Sequence, residues 1–395
     1  MKHLSKLTAV KSKNTKRLLS ARVHVSSIGQ QCRVAQTVLP FRWIAIEQFT
    51  ITEKELEKKM KRTPVVISSL SALLLGTVVT GQVPSSQIDT HIATARTAAG
   101  QDYRGTFVNL CLPSAPRGGG AGRGSGGRGT AGAPQTPDRN NWYAPSFKVF
   151  DNLYWLGTRQ HSSWALQTSA GIIIIDTNFA WATEPEIIDG LTRLGLNPRD
   201  IKYVIISHAH GDHDQGAAEL QKRYGAQVVL GTPDWEATLK RPNTAPGGVP
   251  KRDIAVGPEG TKLTLGDTTV QIVATPGHTP GTLSYVFPVK DQGRTVMVAY
   301  SGGTLTGAFG TDGARWDEYI ASQRKIAKVA ADAGASVLLS NHSEYDGAYT
   351  KARLLSAPRQ PGENHPFIVG TEGVQRYFTV MTECAMASKL RAGAK

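Results

Sequence analysis

The chain has 395 residues, 40% of them hydrophobic and 19% charged, with three cysteines and a formal charge of +14. One catalytic domain of roughly 250 residues leaves a surplus, and that surplus lies before Trp142. Fourteen Lys/Arg against four Asp/Glu put +10 in residues 1–62, and six against three put +3 in residues 82–140. The remaining +1 or so excludes a basic nucleic-acid or membrane-binding surface as the business of the C-terminal region.

Taken in chain order, residues 1–59 carry scattered basic residues without a sustained amphipathic pattern. They read as an over-extended start, with translation beginning at Met60, or as a genuine basic tail. Residues 60–81 have the layout of a signal peptide: Met60-Lys61-Arg62, an apolar run over 65–75, then small residues to Gly81. Ser68, Ser69 and Ser71 break the run, and a membrane span needs about 20 apolar residues. Removal of the signal peptide and a periplasmic or secreted product are therefore expected, with no stable membrane anchor. Residues 82–140 read as a Gly/Arg-rich linker, mostly disordered, because 113–137 is glycine-rich and lacks apolar residues. Arg117, Arg123 and Arg128 stand in it without aromatics, which argues against RNA binding. The apolar stretch 107–112 is expected to dock on the domain that follows.

Residues 141–395 form the expected catalytic domain. Strand-like runs occur at 153–156, 172–176, 203–206, 228–230, 268–274, 283–286, 296–300 and 337–339. Helical periodicity occurs at 184–194, 215–224, 317–333 and 374–390. Residues 233–251 are rich in Pro and Gly and read as a loop beside the mouth of a site.

Five of the ten histidines follow those strand-like runs. His208-x-His210-x-Asp212-His213 comes after 203–206, His278 after 268–274, and His342 after 337–339. Residues two apart at a strand end point the same way, and imidazoles with a carboxylate are zinc's preferred ligands. Ligands from separate strand ends converge on one rim of a layered α/β fold. His161 and His365 lack this ordered context and read as hydrogen-bonded core residues. Asp176 is either a turn residue or a partner that orients a ligand histidine. Asp214 reads as a charge at a helix N-terminus. Trp164, Trp181 and Tyr300 either line the pocket or belong to the core.

The motifs His208-x-His210-x-Asp212-His213, Gly277-His278-Thr279-Pro280-Gly281 and the final His342, with 151–157 and 171–176 as first strands, resemble the metallo-β-lactamase superfamily, and within it subclass B3. The resemblance runs from about Trp142 to the end. It implies an α/β fold, the four-layer αβ/βα sandwich, and two Zn2+ ions per chain. His208, His210 and His278 would hold the first ion, and Asp212, His213 and His342 the second. Asp212 would also act catalytically, orienting an attacking water acidified between the ions. The implied function is a zinc-dependent hydrolase opening the β-lactam ring of antibiotics. The alternative keeps the di-metal site for lactones, thioesters or other small esters. The bridging Asp of glyoxalase II-like relatives, at the end of the strand before the last histidine, is absent from Ser301-Gly302-Gly303, which favours the lactamase branch. Ser301 or Thr304 would then stand where B3 enzymes bind the drug's carboxylate. If the chain begins at Met60, Cys111 and Cys384 remain. B3 enzymes often bridge their C-terminal helix, so these two are expected to pair. The expected partner is a small-molecule substrate.

Overall fold

Four consecutive isoleucines account for the layering. On a strand, successive side chains face opposite sides: Ile173 and Ile175 enter an apolar core with residues of a second sheet, while Ile172 and Ile174 meet helices on the other face. The computed structural model describes residues 86–112, 136–241, 247–304 and 309–394, all within one compact unit, Thr80–Lys395. The expected start segment 1–59, the signal peptide 60–81 and the glycine-rich stretch 113–135 lie outside the described residues.

Seven strands form the first sheet in sequential order: β1 (Phe147–Lys148), β2 (Leu153–Trp155), β3 (Trp164–Thr168), β4 (Gly171–Ile175), β5 (Ile201–Ile205), β6 (Gln227–Gly231) and β7 (Ile254–Val256). Pairing is antiparallel through β4 and parallel from β4 to β7. The second sheet has the order β12-β11-β10-β9-β8, from β8 (Thr261–Leu265), β9 (Thr268–Ala274), β10 (Leu283–Asp291), β11 (Arg294–Ser301) and β12 (Val337–Ser340). Between the sheets lies a core that includes Trp155, Trp164, Ile205, Val229, Tyr285, Phe287, Tyr300 and Leu339. Trp164 and Tyr300 are thus core residues and do not line a pocket.

Helices cover both outer faces. Against the first sheet pack α4 (Ala217–Tyr224) and α5 (Thr232–Leu239), with Leu220 and Trp235 in the buried layer, while the short α3 (Gly211–Asp214) precedes α4. Against the second pack α6 (Gly313–Asp332) and α7 (Gly370–Arg391), joined by α1 (Gln87–Ala99) and α2 (Arg104–Cys111). The layers are therefore α, β, β, α, as expected.

Two expectations are corrected here. Within the span 82–140, the described residues 86–112 are helical rather than disordered: α1, opened by a Ser86–Asp89 capping box, and α2 bury Tyr103, Phe107 and Cys111 in the layer that contains α7. Cys111 and Cys384 are joined, with 4.6 Å between their Cα atoms. Composition averaged over the span hid these two short apolar faces behind the glycines that follow. The stretch 233–251 is not all loop either. Pro233 falls in the first turn of α5, where its missing N–H costs nothing, and the Trp235 indole donates to the Ile254 carbonyl at 2.8 Å.

Candidate metal centre

The rim where strands end and loops cross between the sheets collects the chemistry. β5 runs into His208, His210 and α3; β9 runs into the turn carrying His278; β12 runs into His342. Close packing holds these turns. Gly277 has φ +136°, and a Cβ there would sit 2.7 Å from the Tyr319 Cα, so glycine is required. Asp234, unforeseen from the sequence, ties two of the loops together. Its carboxylate accepts from the Ala209 N–H at 2.7 Å, the Thr279 hydroxyl at 2.7 Å and the Gly281 N–H at 2.9 Å. A single aspartate in a Pro-rich stretch carries no signal of such a role.

The six predicted residues come together as two adjacent groups. In the first, the His210 Nδ1 lies 3.1 Å from both the His208 Nε2 and the His278 Nε2. The His208 Nδ1 donates to the Gly302 carbonyl at 2.9 Å, which leaves its Nε2 lone pair bare. Asn341 donates to the same carbonyl at 2.9 Å. Burial pushes all three imidazoles below the ordinary histidine range, His278 to about 3. Three neutral rings thus aim nitrogens at one point.

In the second group, the Asp212 Oδ2 lies 3.1 Å from the His213 Nε2 and 3.2 Å from the His342 Nε2, with 3.2 Å between the two nitrogens. Behind it stands Asp176, fully buried at φ +57°. Its Oδ2 accepts from the His213 Nδ1 at 3.1 Å, the Ser207 hydroxyl at 2.8 Å and the Tyr300 hydroxyl at 2.8 Å. Of its two sequence readings, the orienting partner is the one the geometry carries. Burial alone would lower His213, yet Asp212 and Asp176 outweigh it and raise the ring to about 10. Burial alone would raise Asp212, yet His213 and His342 hold it well below the carboxylate range. The arrangement demands positive charge between these groups, supplied by a proton or by a metal.

The donor set fits zinc on that ground. Ligands bonded at 2.0–2.2 Å in a tetrahedron stand about 3.3–3.6 Å apart, close to the spacings within each group. His208, His210 and His278 have ligand atoms within 4.8 Å of one another, as do His161, Asp212 and His342.

His161 is a correction. Read as a core histidine, it instead reaches the second group, its Nε2 3.6 Å from the Asp212 Oδ2. Burial, reinforced by the His342 ring, lowers it to about 3. A lone histidine without ligand spacing gave no sign of this. His365 does follow its reading: it stacks on Phe150 at 4.1 Å, and its Nε2 lies 2.8 Å from the Val149 carbonyl. Asp214 sits in α3, buried and paired with Arg241 and the Thr238 hydroxyl, away from the ligand atoms. Ser301 and Thr304, expected to meet a substrate carboxylate, are both buried, at 1% and 3% exposure. Trp181 is half-buried and stacks on Phe179 at 5.2 Å, whose ring meets the edge of His161 at 5.1 Å.

Comparison with known proteins agrees with this geometry. Residues 156–291 match the metallo-beta-lactamase superfamily. Among solved structures, a subclass B3 metallo-beta-lactamase of Bradyrhizobium japonicum is 32% identical with a TM-score of 0.54, over 64% of this chain and 97% of that one. A metallo-beta-lactamase from Legionella gormanii is 22% identical with a TM-score of 0.54, over 64% and 98%, a likeness of fold. Among curated relatives, a hydroxyacylglutathione hydrolase of Bradyrhizobium sp. (strain ORS 278) is 27% identical over 52% of this chain and 80% of the relative. Another, of Rhodopseudomonas palustris (strain BisA53), is 34% identical over 30% of this chain and 38% of the relative. Matches to the first of these curated relatives span only about a third of their length, 31–38%. The Bradyrhizobium japonicum enzyme is matched along nearly its whole length, and the chain belongs to the metallo-beta-lactamase superfamily, a family of metal-dependent hydrolases.

Proposed function

We propose that this chain is a zinc-dependent hydrolase that opens the β-lactam ring, with His208, His210 and His278 holding one ion and Asp212, His213 and His342 the other. When bound, two zinc ions supply what the side chains lack: acidification of a water and polarisation of a carbonyl oxygen. The protein's part is to position and to move a proton. Gly302's carbonyl fixes the His208 tautomer, and Asp176 fixes that of His213. Asp212, its side chain 19% exposed, is the carboxylate placed to orient an attacking water and accept its proton. The exposed Arg315, with Nη2 3.5 Å from the His278 carbonyl, is a cation beside the first group, suited to an anionic substrate now that Ser301 and Thr304 are seen to be buried.

The observation that carries the lactamase reading lies at the end of β11. A Cβ at Gly302 would stand 1.6 Å from the Leu283 carbonyl oxygen, and one at Gly303 would stand 2.7 Å from the His278 Cβ. No carboxylate is present there, and side chains at these positions have no room. This supports a site like that of the B3 enzyme over one built around a bridging aspartate. The second reading, thioester or lactone hydrolysis, draws its support from the hydroxyacylglutathione hydrolases among the relatives.

Export belongs to the same proposal. The signal segment lies outside the described residues, but the Cys111–Cys384 disulfide suits a periplasmic or secreted enzyme. No helix among the described residues is long and apolar enough to cross a membrane. The test is a substrate panel on zinc-loaded protein. Turnover of penicillins, cephalosporins or carbapenems, abolished by a chelator, is the expected result. Turnover of thioesters or lactones alone would replace the first reading with the second.

A further inference from the structure

We propose that His161 is a fourth protein ligand of the second metal position, joining Asp212, His213 and His342. That position would then carry one more protein ligand than the three-histidine position, which keeps room for water and substrate. The inference rests on reading the six residues as a metal centre and adds a seventh that no spacing rule predicts.

The juxtaposition is specific. His161 follows β2 in the first sheet, and His342 follows β12 in the second. The two residues pair backbone to backbone as an isolated bridge. Flanking bonds lock it: the Ser162 N–H donates to the Asn341 carbonyl at 2.9 Å, and the Ser343 N–H donates to the Gln160 carbonyl at 2.8 Å. The turn itself is closed by the Thr158 N–H to the His161 carbonyl at 2.8 Å and the His161 N–H to the Thr158 hydroxyl at 2.9 Å. Two imidazoles are thereby brought to one carboxylate from opposite sheets.

The ring's orientation argues for a ligand. The His161 Nδ1 faces the Thr158 hydroxyl at 3.3 Å, which turns Nε2 toward the Asp212 Oδ2 at 3.6 Å. That separation is too long for a hydrogen bond, yet the His161, Asp212 and His342 ligand atoms lie within 4.8 Å of one another, as donors to one ion do, with the His161 and His213 rings on opposite sides, their centroids 6.5 Å apart. A hydrogen-bonded core histidine would have its inner nitrogen satisfied, as His365 does at 2.8 Å. His161 instead shares Oδ2 with His213 and His342, which stand 3.1 and 3.2 Å from it.

The consequence is an asymmetric centre in which the second ion laces the two sheets together and is the slower to leave. The test uses the full chain, stripped of metal and titrated with Co(II) or Zn(II), comparing wild type with His161→Ala, His161→Gln and His210→Ala. Wild type is expected to bind two equivalents, one of them released slowly to chelator. Both His161 variants should keep one ion and bind the other about 10–100-fold more weakly or worse. They should also show an altered Co(II) absorption spectrum and a smaller rise in Tm on zinc addition. His210→Ala should instead weaken the other ion. If His161→Ala fails to fold by circular dichroism, His161→Gln, which keeps a polar side chain of similar reach, decides. Two ions bound by the His161 variants with wild-type affinity and spectrum would overturn the proposal and leave the metal centre standing. Wild type taking up no divalent ion would overturn both.

Discussion

The two halves of the centre are built differently. His208, His210 and His278 are neutral imidazoles gathered by loops, with His210 open to solvent and burial lowering each ring. The second half is a charge-compensated network: Asp212 among imidazoles, with the buried Asp176 and its donors behind. The difference teaches where selectivity for a cation is stored. In the first half it lies in spacing alone, so the rings can face each other without a metal. In the second it lies in charge, because two carboxylates around one histidine require a positive partner.

That contrast can be broken most severely at Asp212. Asp212→Asn removes the second group's anion and the proposed proton acceptor together, and kcat/KM on the best substrate of the panel should fall by about 10²–10⁴-fold. A fall of only a few-fold would deny it both roles. Asp176→Asn sharpens the comparison, since Asp176 touches His213 directly and reaches the first group only through the Ser207 hydroxyl, 3.2 Å from the His208 Nδ1. Affinity for one ion should drop about 10–100-fold while the other weakens much less, as read by metal titration; equal weakening of both ions would show that the halves are not separable.

A carboxyl away from the ligand atoms sets the baseline. Glu186 is fully buried, its Oε1 accepting from the Ala144 N–H at 3.1 Å while its Oε2 has no partner. Burial raises it to about 8 against an ordinary value of 4.5. Between those values the folded chain holds a proton that the unfolded chain has released, so stability falls as pH rises through the window. The loss is on the order of 2–4 kcal/mol. Glu186→Gln should flatten that slope in denaturant titrations at pH 5 and pH 8 and leave metal binding untouched. A slope unchanged by the substitution would place the titration elsewhere.

The six residues that meet at the rim were legible because each follows an apolar, strand-like run, and a strand end followed by histidine is a local pattern. The isoleucines of β4 read as a strand for the same reason, while the sandwich was implied by the family resemblance. Short or polar elements were not legible. β8 alternates Thr and Lys with Leu and shows its identity only by pairing with β9. α1, α2 and α5 are short, and their apolar faces make sense only against the layers they cover.

What the chain's order of residues determined alone is the chemistry available: which imidazoles and carboxylates follow which strands, and hence the family. The tertiary structure decided what those groups meet. Asp176 became the support of His213, Asp234 the tie between two loops, and His161 a neighbour of Asp212 across the join of two sheets. Periodicity is a property of neighbours along the chain, whereas these contacts join residues separated by 25 to 181 positions, and only the packing of both sheets sets those distances.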